Sequence, residues 1–246
     1  VLLMKKTLLI SGIVGCFIAT ASFAQTSIVG SSPQPRNVML EEFSGIYCGY
    51  CPDGADRANA VVAAFPGRVA VIKIHSSNTY SKPNNASHPD FRTPYGPAIA
   101  SFSGLTGYPA GMVNRVNSGS ASLAMSRGSW MSAASAIING GNSPVNIGME
   151  TEWDETKREL KITVQTFYTD NSQAGTPNRL NVVVTEDGII GYQSDYGPHG
   201  TWLDYEHNET VRSFITGADG ESIDATAMGN LNQRIYTYAV DAEFKI

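Results

Sequence analysis

The stretch from Val38 to Gly54 limits the fold more than any other. An apolar, strand-like run carrying Glu41 and Glu42 passes through Ser44-Gly45 into Cys48-Gly49-Tyr50-Cys51, and helix-compatible sequence from Ala55 to Phe65 follows. This reads as a strand, a tight loop and a helix N-terminus bearing two thiols. Unsatisfied N–H groups and the positive end of the helix dipole favour thiolate over thiol there, so Cys48 is the expected nucleophile. Cys51, one helical turn on, is placed to resolve a mixed disulfide, and Pro52 falls in the first turn, where its missing N–H costs little. Two plainer readings compete. The pair is half of a zinc site, against which stand the lack of a second Cys pair and the scatter of the four His. Or it is an inert staple, although so small a loop removes little chain entropy.

The same stretch resembles the active-site segment of the thioredoxin superfamily, in which a buried strand with an acidic residue leads into Cys-x-x-Cys. The matching acid here is Glu42, followed by Phe43. Alternation along a strand sends Glu41 and Glu42 to opposite faces, and a buried Glu42 with a raised pKa would take the proton from Cys51 during resolution. The resemblance implies a cis-proline at Pro109 facing the cysteines, with the backbone of Tyr108 pairing with the substrate chain. Gly49-Tyr50 is the dipeptide of periplasmic disulfide isomerases, which implies an isomerase or reductant, with both residues at the substrate.

More of the chain is similar to the outer membrane protein 28 family of Gram-negative bacteria. The residues that carry this are Glu42 to Gly54, Ile74-His75, Gly107-Tyr108-Pro109-Ala110-Gly111, Val113-Asn114-Arg115 and Glu206-His207-Asn208. That resemblance implies export, an outer-membrane association and a thioredoxin-like domain joined to a β-rich region.

Residues 1–24 read as a secretory signal: Lys5-Lys6, an apolar run from Leu8 to Ile18, then Ala21-Ser22-Phe23-Ala24 with small residues where a signal peptidase cuts. Cys16 lies inside the run, and cleavage before it would make a lipidated N-terminus. Removing these residues takes away Lys5 and Lys6 and no acid, so 15 basic residues would face 22 acidic ones. Such an acidic balance argues against nucleic acid and anionic lipid surfaces as partners. Export implies an oxidising compartment, where a working thiolate needs a reductant, and hence a redox partner protein.

Residues 25–37, rich in Ser, Pro and Gln, read as a flexible leader. Over 38–141 strands and helices alternate: strand Val38–Phe43, helix near Cys51–Phe65, strand Val69–His75, a helix within Thr93–Ser103, a strand after Pro109, a short strand Ser120–Met125, and a closing helix from Ser129 to Asn139 stopped by Gly140-Gly141. The expected class is an α/β thioredoxin-like domain. His75 ends a strand on the side of the thiols, where it would stabilise the thiolate or shuttle a proton; the plain alternative is a hydrogen-bonded strand-end histidine. The polar loop Ser76 to Asp90 is of the length that often covers a site, and reads equally as a solvated insertion.

After Pro144 short alternating runs (Val145–Trp153, Glu159–Thr169, Arg179–Glu186, Ile189–Tyr192, Thr210–Ile215, Arg234–Phe244) predict an all-β sandwich, immunoglobulin-like, over 145–246. The last run ends at Ile246 with no closing turn, as in a chain cut short of an edge strand. Tyr196 to Asn208, aromatic and carrying His199 and His207, reads as a hydrogen-bonded loop, or as a binding loop in which the spacing is not diagnostic of a metal; Arg212 would anchor it. No metal and no cofactor is expected.

Two functions follow. One is a secreted thiol-disulfide oxidoreductase acting on protein disulfides: Cys48 attacks, Cys51 resolves, Glu42 handles protons and Pro109 aligns the client. The other is a surface or periplasmic binding module, with the α/β part as scaffold and the β part recognising a peptide or glycan.

Overall fold

The computed structural model describes residues 27–117, 119 and 122–244. The expected signal segment, with Cys16, lies outside these residues. Among the described residues no helix is long and apolar enough to cross a membrane.

Strands β1 (Val38–Ser44) and β2 (Val69–His75) are buried on both faces over most of their length, and they pair in parallel from Val38 with Val69 to Ser44 with His75. Helix α1 (Cys51–Ala64) connects them, with a proline in its first turn and Asp53 adding negative charge near its positive end. Helix α2 (Gly96–Ser103) stops at Gly104, which takes the left-handed conformation a helix C-terminus favours. Strand β3 (Ala110–Val113) returns antiparallel to β1, and β4 (Met125–Ser126) pairs with β3. A 3-10 turn, Arg127–Ser129, leads into α3 (Trp130–Ile138). The strand expected from Ser120 falls partly outside the described residues, and its described part is reduced to β4.

The rest is all strand: β5 (Val145–Asp154), β6 (Glu159–Tyr168), β7 (Asn178–Leu180), β8 (Val183–Glu186), β9 (Ile189–Gln193), β10 (Trp202–His207), β11 (Thr210–Phe214), β12 (Glu221–Ile223) and β13 (Leu231–Ala239). These do not form a separate two-sheet sandwich. They make a three-stranded sheet β13-β6-β5, two ribbons β10-β9 and β12-β7, and the completion of the first sheet, whose order is β4-β3-β1-β2-β11-β8. The physical reason lies in β2. Left as an edge it would expose a row of unpaired backbone groups beside Ile72 and Ile74. Instead β11 runs parallel to it, the Lys73 N–H donates to Glu209 O (2.7 Å), and Lys73 Nζ meets Glu209 Oε2 at 2.9 Å.

The core has three parts. Val38, Leu40 and Val71 face Ala58 and Val61 of α1 and Trp130 and Ala134 of α3. On the other face Phe43, Ile72, Ile74 and Met112 pack with Ile99 of α2 and with Val211 and Phe214 of β11. Ile162, Val164 and Tyr168 of β6 pack against Leu180, Val182 and Ile223. The start of the chain, expected as a flexible leader, is held to the opposite face of that third sheet. Ile28 N donates to Gln165 Oε1 (2.8 Å), Asn146 Nδ2 donates to Gly30 O and Ser32 O (2.7 Å each), and Val29 is buried.

Candidate functional site

The C-terminal ends of β1 and β2 open onto the loop that carries the two cysteines. Cys48 and Cys51 are joined in a disulfide. Tyr50 caps α1 and Cys51 is its first residue, so Cys48 lies in the turn before the helix, where its carbonyl accepts from Cys51 N at 3.0 Å.

Beneath the first turn of α1 the structure brings together two more of the expected residues. Gly54 sits against both Glu42 and Pro109: a methyl group at Gly54 would stand 2.8 Å from Glu42 Oε1 and 2.8 Å from Pro109 Cβ. Only glycine permits that approach, and the Tyr108–Pro109 bond is cis. Glu42 is fully buried and neither carboxyl oxygen has a hydrogen-bond partner. Burial pushes its pKa up to about 8, with Lys73 pulling it down and Glu209 pushing it up. A carboxyl that is mostly neutral at pH 7 and holds its proton loosely suits acid–base work. Glu41, on the alternate face, is instead clamped by Arg115 through two hydrogen bonds of 2.7 and 2.9 Å.

The other expected residues are dispersed. The Tyr108 hydroxyl is 2.7 Å from Ser76 Oγ, and its ring packs on Tyr80 at 5.1 Å. Burial raises its pKa. Tyr50 is exposed, beside Arg127 at 5.6 Å, and Arg127 also pairs with Asp53. His75 is buried against Phe91 (5.1 Å) and His207 (6.4 Å), and neither ring nitrogen meets a partner. Burial first, then His207 and Lys73, lowers its pKa to about 3, so it is neutral at pH 7. Its neighbours are thus aromatic rings, with the Lys73 backbone a polar group that bears on the ring. His199 packs tilted against Trp202 and His207 meets Phe91 edge-on, and no group of three or more His, Cys, Asp or Glu able to hold a metal occurs among the described residues.

The expected nucleophile and its resolving partner are both buried. Cys48 is 3% and Cys51 2% exposed. Two segments enclose their loop. On one side Tyr47 N donates to Tyr80 O (2.8 Å) and Ser81 Oγ to Ser44 O (3.2 Å), so the long loop after β2 does lie over the site. On the other, the chain leaving β9 is laid along residues 45–49. Ser194 N donates to Ile46 O and Tyr196 N to Gly49 O, both at 2.8 Å. Gln193 Nε2 lies 3.2 Å from Gly45 O and 3.1 Å from Cys48 O, and the Tyr196 ring covers Gly49, where a Cβ would come within 2.5 Å of it. Tyr47, His88 and Tyr192 join the two enclosing segments, with His88 stacked on Tyr192 at 3.9 Å. Sequence reasoning missed Gln193, Ser194 and Tyr196 as site residues; the only signal was the aromatic richness of the segment that Tyr196 begins.

No curated protein matches the chain. The solved structure of HBP35 of Porphyromonas gingivalis resembles it with a TM-score of 0.64 at 20% identity, over 85% of this chain and 65% of that one. That likeness concerns the fold, and the chain spans just under two thirds of that protein. A protein of Agrobacterium tumefaciens gives a TM-score of 0.44 at 12% identity, over 82% of this chain and 79% of its own. Residues 97–245, more than half of the chain and all of it beyond the cysteine pair, match the model of the family described as outer membrane protein Omp28, and the chain belongs to that family.

Proposed function

We propose that the protein is an exported thiol-disulfide oxidoreductase, a reductant or isomerase of protein disulfides, whose α/β part is thioredoxin-like. The observation that carries this reading is the placement of Glu42, buried with both oxygens unpartnered, and Pro109 under the helix turn that bears Cys51. The reduced pair starts the reaction. The Cys48 thiolate attacks a client disulfide, a mixed disulfide forms, and the client's other sulfur leaves as a thiolate. Glu42 first releases its loosely held proton to solvent, then takes the proton of Cys51, which attacks the Cys48 sulfur and releases the second client sulfur. The client gains two electrons, and the pair ends as the disulfide seen here. A dithiol partner protein resets it. The family name supports an outer-membrane or exported setting, and peripheral association with that membrane is part of the proposal.

The burial of both sulfurs favours a second reading, in which the α/β part is a scaffold and the β-rich part binds peptide or glycan. The reduction potential of the pair and its turnover of insulin separate the two. An oxidoreductase has a potential within the range of working catalysts, and Cys51→Ser accumulates mixed disulfides while Cys48→Ser does not. A potential below about −300 mV with no insulin reduction leaves only the scaffold.

A further inference from the structure

The segment 194–196 contacts the cysteine loop in the way an extended polypeptide ligand would. Two of its main-chain N–H groups are spent on the carbonyls of Ile46 and Gly49, its sense is parallel to 46–49, and one aromatic ring lies on Gly49, which has no side chain to obstruct it. Main-chain bonds of this kind accept any sequence, and the glycine face selects a flat side chain. Tyr50 closes the ring site edge-on at 5.1 Å.

The same segment is built to leave. Tyr196 is 71% exposed although its ring covers Gly49. Its fold is held internally, since Asp195 Oδ1 accepts from Gly197 N (2.7 Å) and Asp195 Oδ2 from Trp202 Nε1 (3.1 Å). Gly197 and Pro198 follow, and Gly200 has a positive φ, so the turn into β10 has few side chains to repack. Gln193, by contrast, is buried at the end of β9 and belongs to the fixed wall.

We infer that residues 194–196 are an internal stand-in for the client. The pair's substrates are then extended polypeptide segments that displace this strap, offer N–H groups to Ile46 O and Gly49 O, and place an aromatic side chain on Gly49. This rests on the thiol-exchange reading for the word substrate; the binding edge itself does not. On this inference the segment that a client replaces is also part of what shields the buried Cys48 sulfur, so burial does not make the disulfide inert.

The experiment uses the full chain with two variants. Tyr196→Ala removes the ring, and Gly49→Ala dislodges it from the other side while leaving the strap's sequence intact. Both are first checked for an unchanged far-ultraviolet circular dichroism spectrum. The rate at which dithiothreitol reduces the disulfide is then measured. Losing one aromatic contact should raise that rate about fivefold to tenfold in Tyr196→Ala, and Gly49→Ala should raise it too. A synthetic peptide with the sequence of residues 193–199 should bind Tyr196→Ala, protect its disulfide and slow its reduction again. The same peptide with Ala in place of its Tyr should not. Wild-type rates in both variants, or a peptide that neither binds nor protects, would overturn the inference. Faster reduction and peptide protection without insulin turnover in any variant would keep the strap and its binding edge while removing the oxidoreductase reading.

Discussion

Glu42 is the residue whose place in the molecule follows most directly from its place in the chain. Alternation puts Glu41 and Glu42 on opposite faces, the resemblance to the thioredoxin active-site segment singles out Glu42, and the structure buries it beneath the helix turn that carries Cys51. Its pKa makes a prediction with a definite sign. Below its usual value of 4.5 both folded and unfolded chains hold the proton; between 4.5 and about 8 the unfolded chain releases it and the folded chain does not. Stability from this group therefore falls as pH rises through that window. Buried His75 and His207, lowered by burial to about 3 and about 4, act the other way: their contribution is complete about one unit above 6.5 and is lost as pH falls through that value. Both proteins share what the histidines still add between pH 6.5 and 8, so the difference between them isolates Glu42. Over that interval the wild type should lose roughly 1.5 kcal/mol of unfolding free energy relative to Glu42→Gln. Urea unfolding at the two pH values checks this, and equal changes in both proteins would show that Glu42 is ionised throughout. Gln193 and Tyr196 are not legible in this way. They meet the cysteine loop from about 145 residues along the chain, and no local pattern encodes a partner so remote.

At the scale of elements, legibility follows periodicity. α1, α3, β5 and β6 carry periods of 3.6 or 2, β1 and β2 are short apolar-rich runs of strand length, and all six lie where those patterns put them. β10 is hidden because its register shifts between Trp202 and Tyr205, which breaks the alternation and leaves an aromatic-rich run that reads as a loop. β12 has three residues, too few to show a period, and the run from Arg179 to Glu186 is two strands, β7 and β8, that join different sheets. The helix that closes the first sheet makes the element-scale prediction. Trp130 is fully buried, and it packs with Leu40 of β1, Ala58 of α1 and Val113 of β3, with Nε1 donating to Met125 O at 3.3 Å. Truncation to alanine leaves a large void and an unpaired carbonyl, so Trp130→Ala should cost about 3–5 kcal/mol in chemical denaturation. A cost below about 1 kcal/mol would mean that α3 is not part of the cooperative core.

The boundary between halves is where sequence texture and the finished molecule diverge. The change at Pro144 from mixed α/β to pure strand is real, and it suggests two bodies of which the first closes at residue 141. Yet β11 and β8 occupy the open side of the first sheet, Val211 and Phe214 fill the apolar layer under Phe43 and Ile74, and Gln193 and Ser194 hydrogen-bond to the loop that bears the cysteines. Pairing between strands so far apart cannot be read from local pattern, because an edge's need for a partner says nothing about which later strand will satisfy it. The consequence is testable on the whole chain. If the sheet is completed from the second half, residues 27–141 alone would expose the β2 edge and the apolar layer beside it, and would leave Lys73 without its Glu209 carboxylate. That fragment should lack a cooperative thermal transition or should associate through the bared edge, while the full chain melts in a single step. Its melting by circular dichroism and its size by light scattering decide the matter. A monomeric fragment with a sharp transition near that of the full chain would make the first sheet self-sufficient and reduce β11 and β8 to an accessory layer.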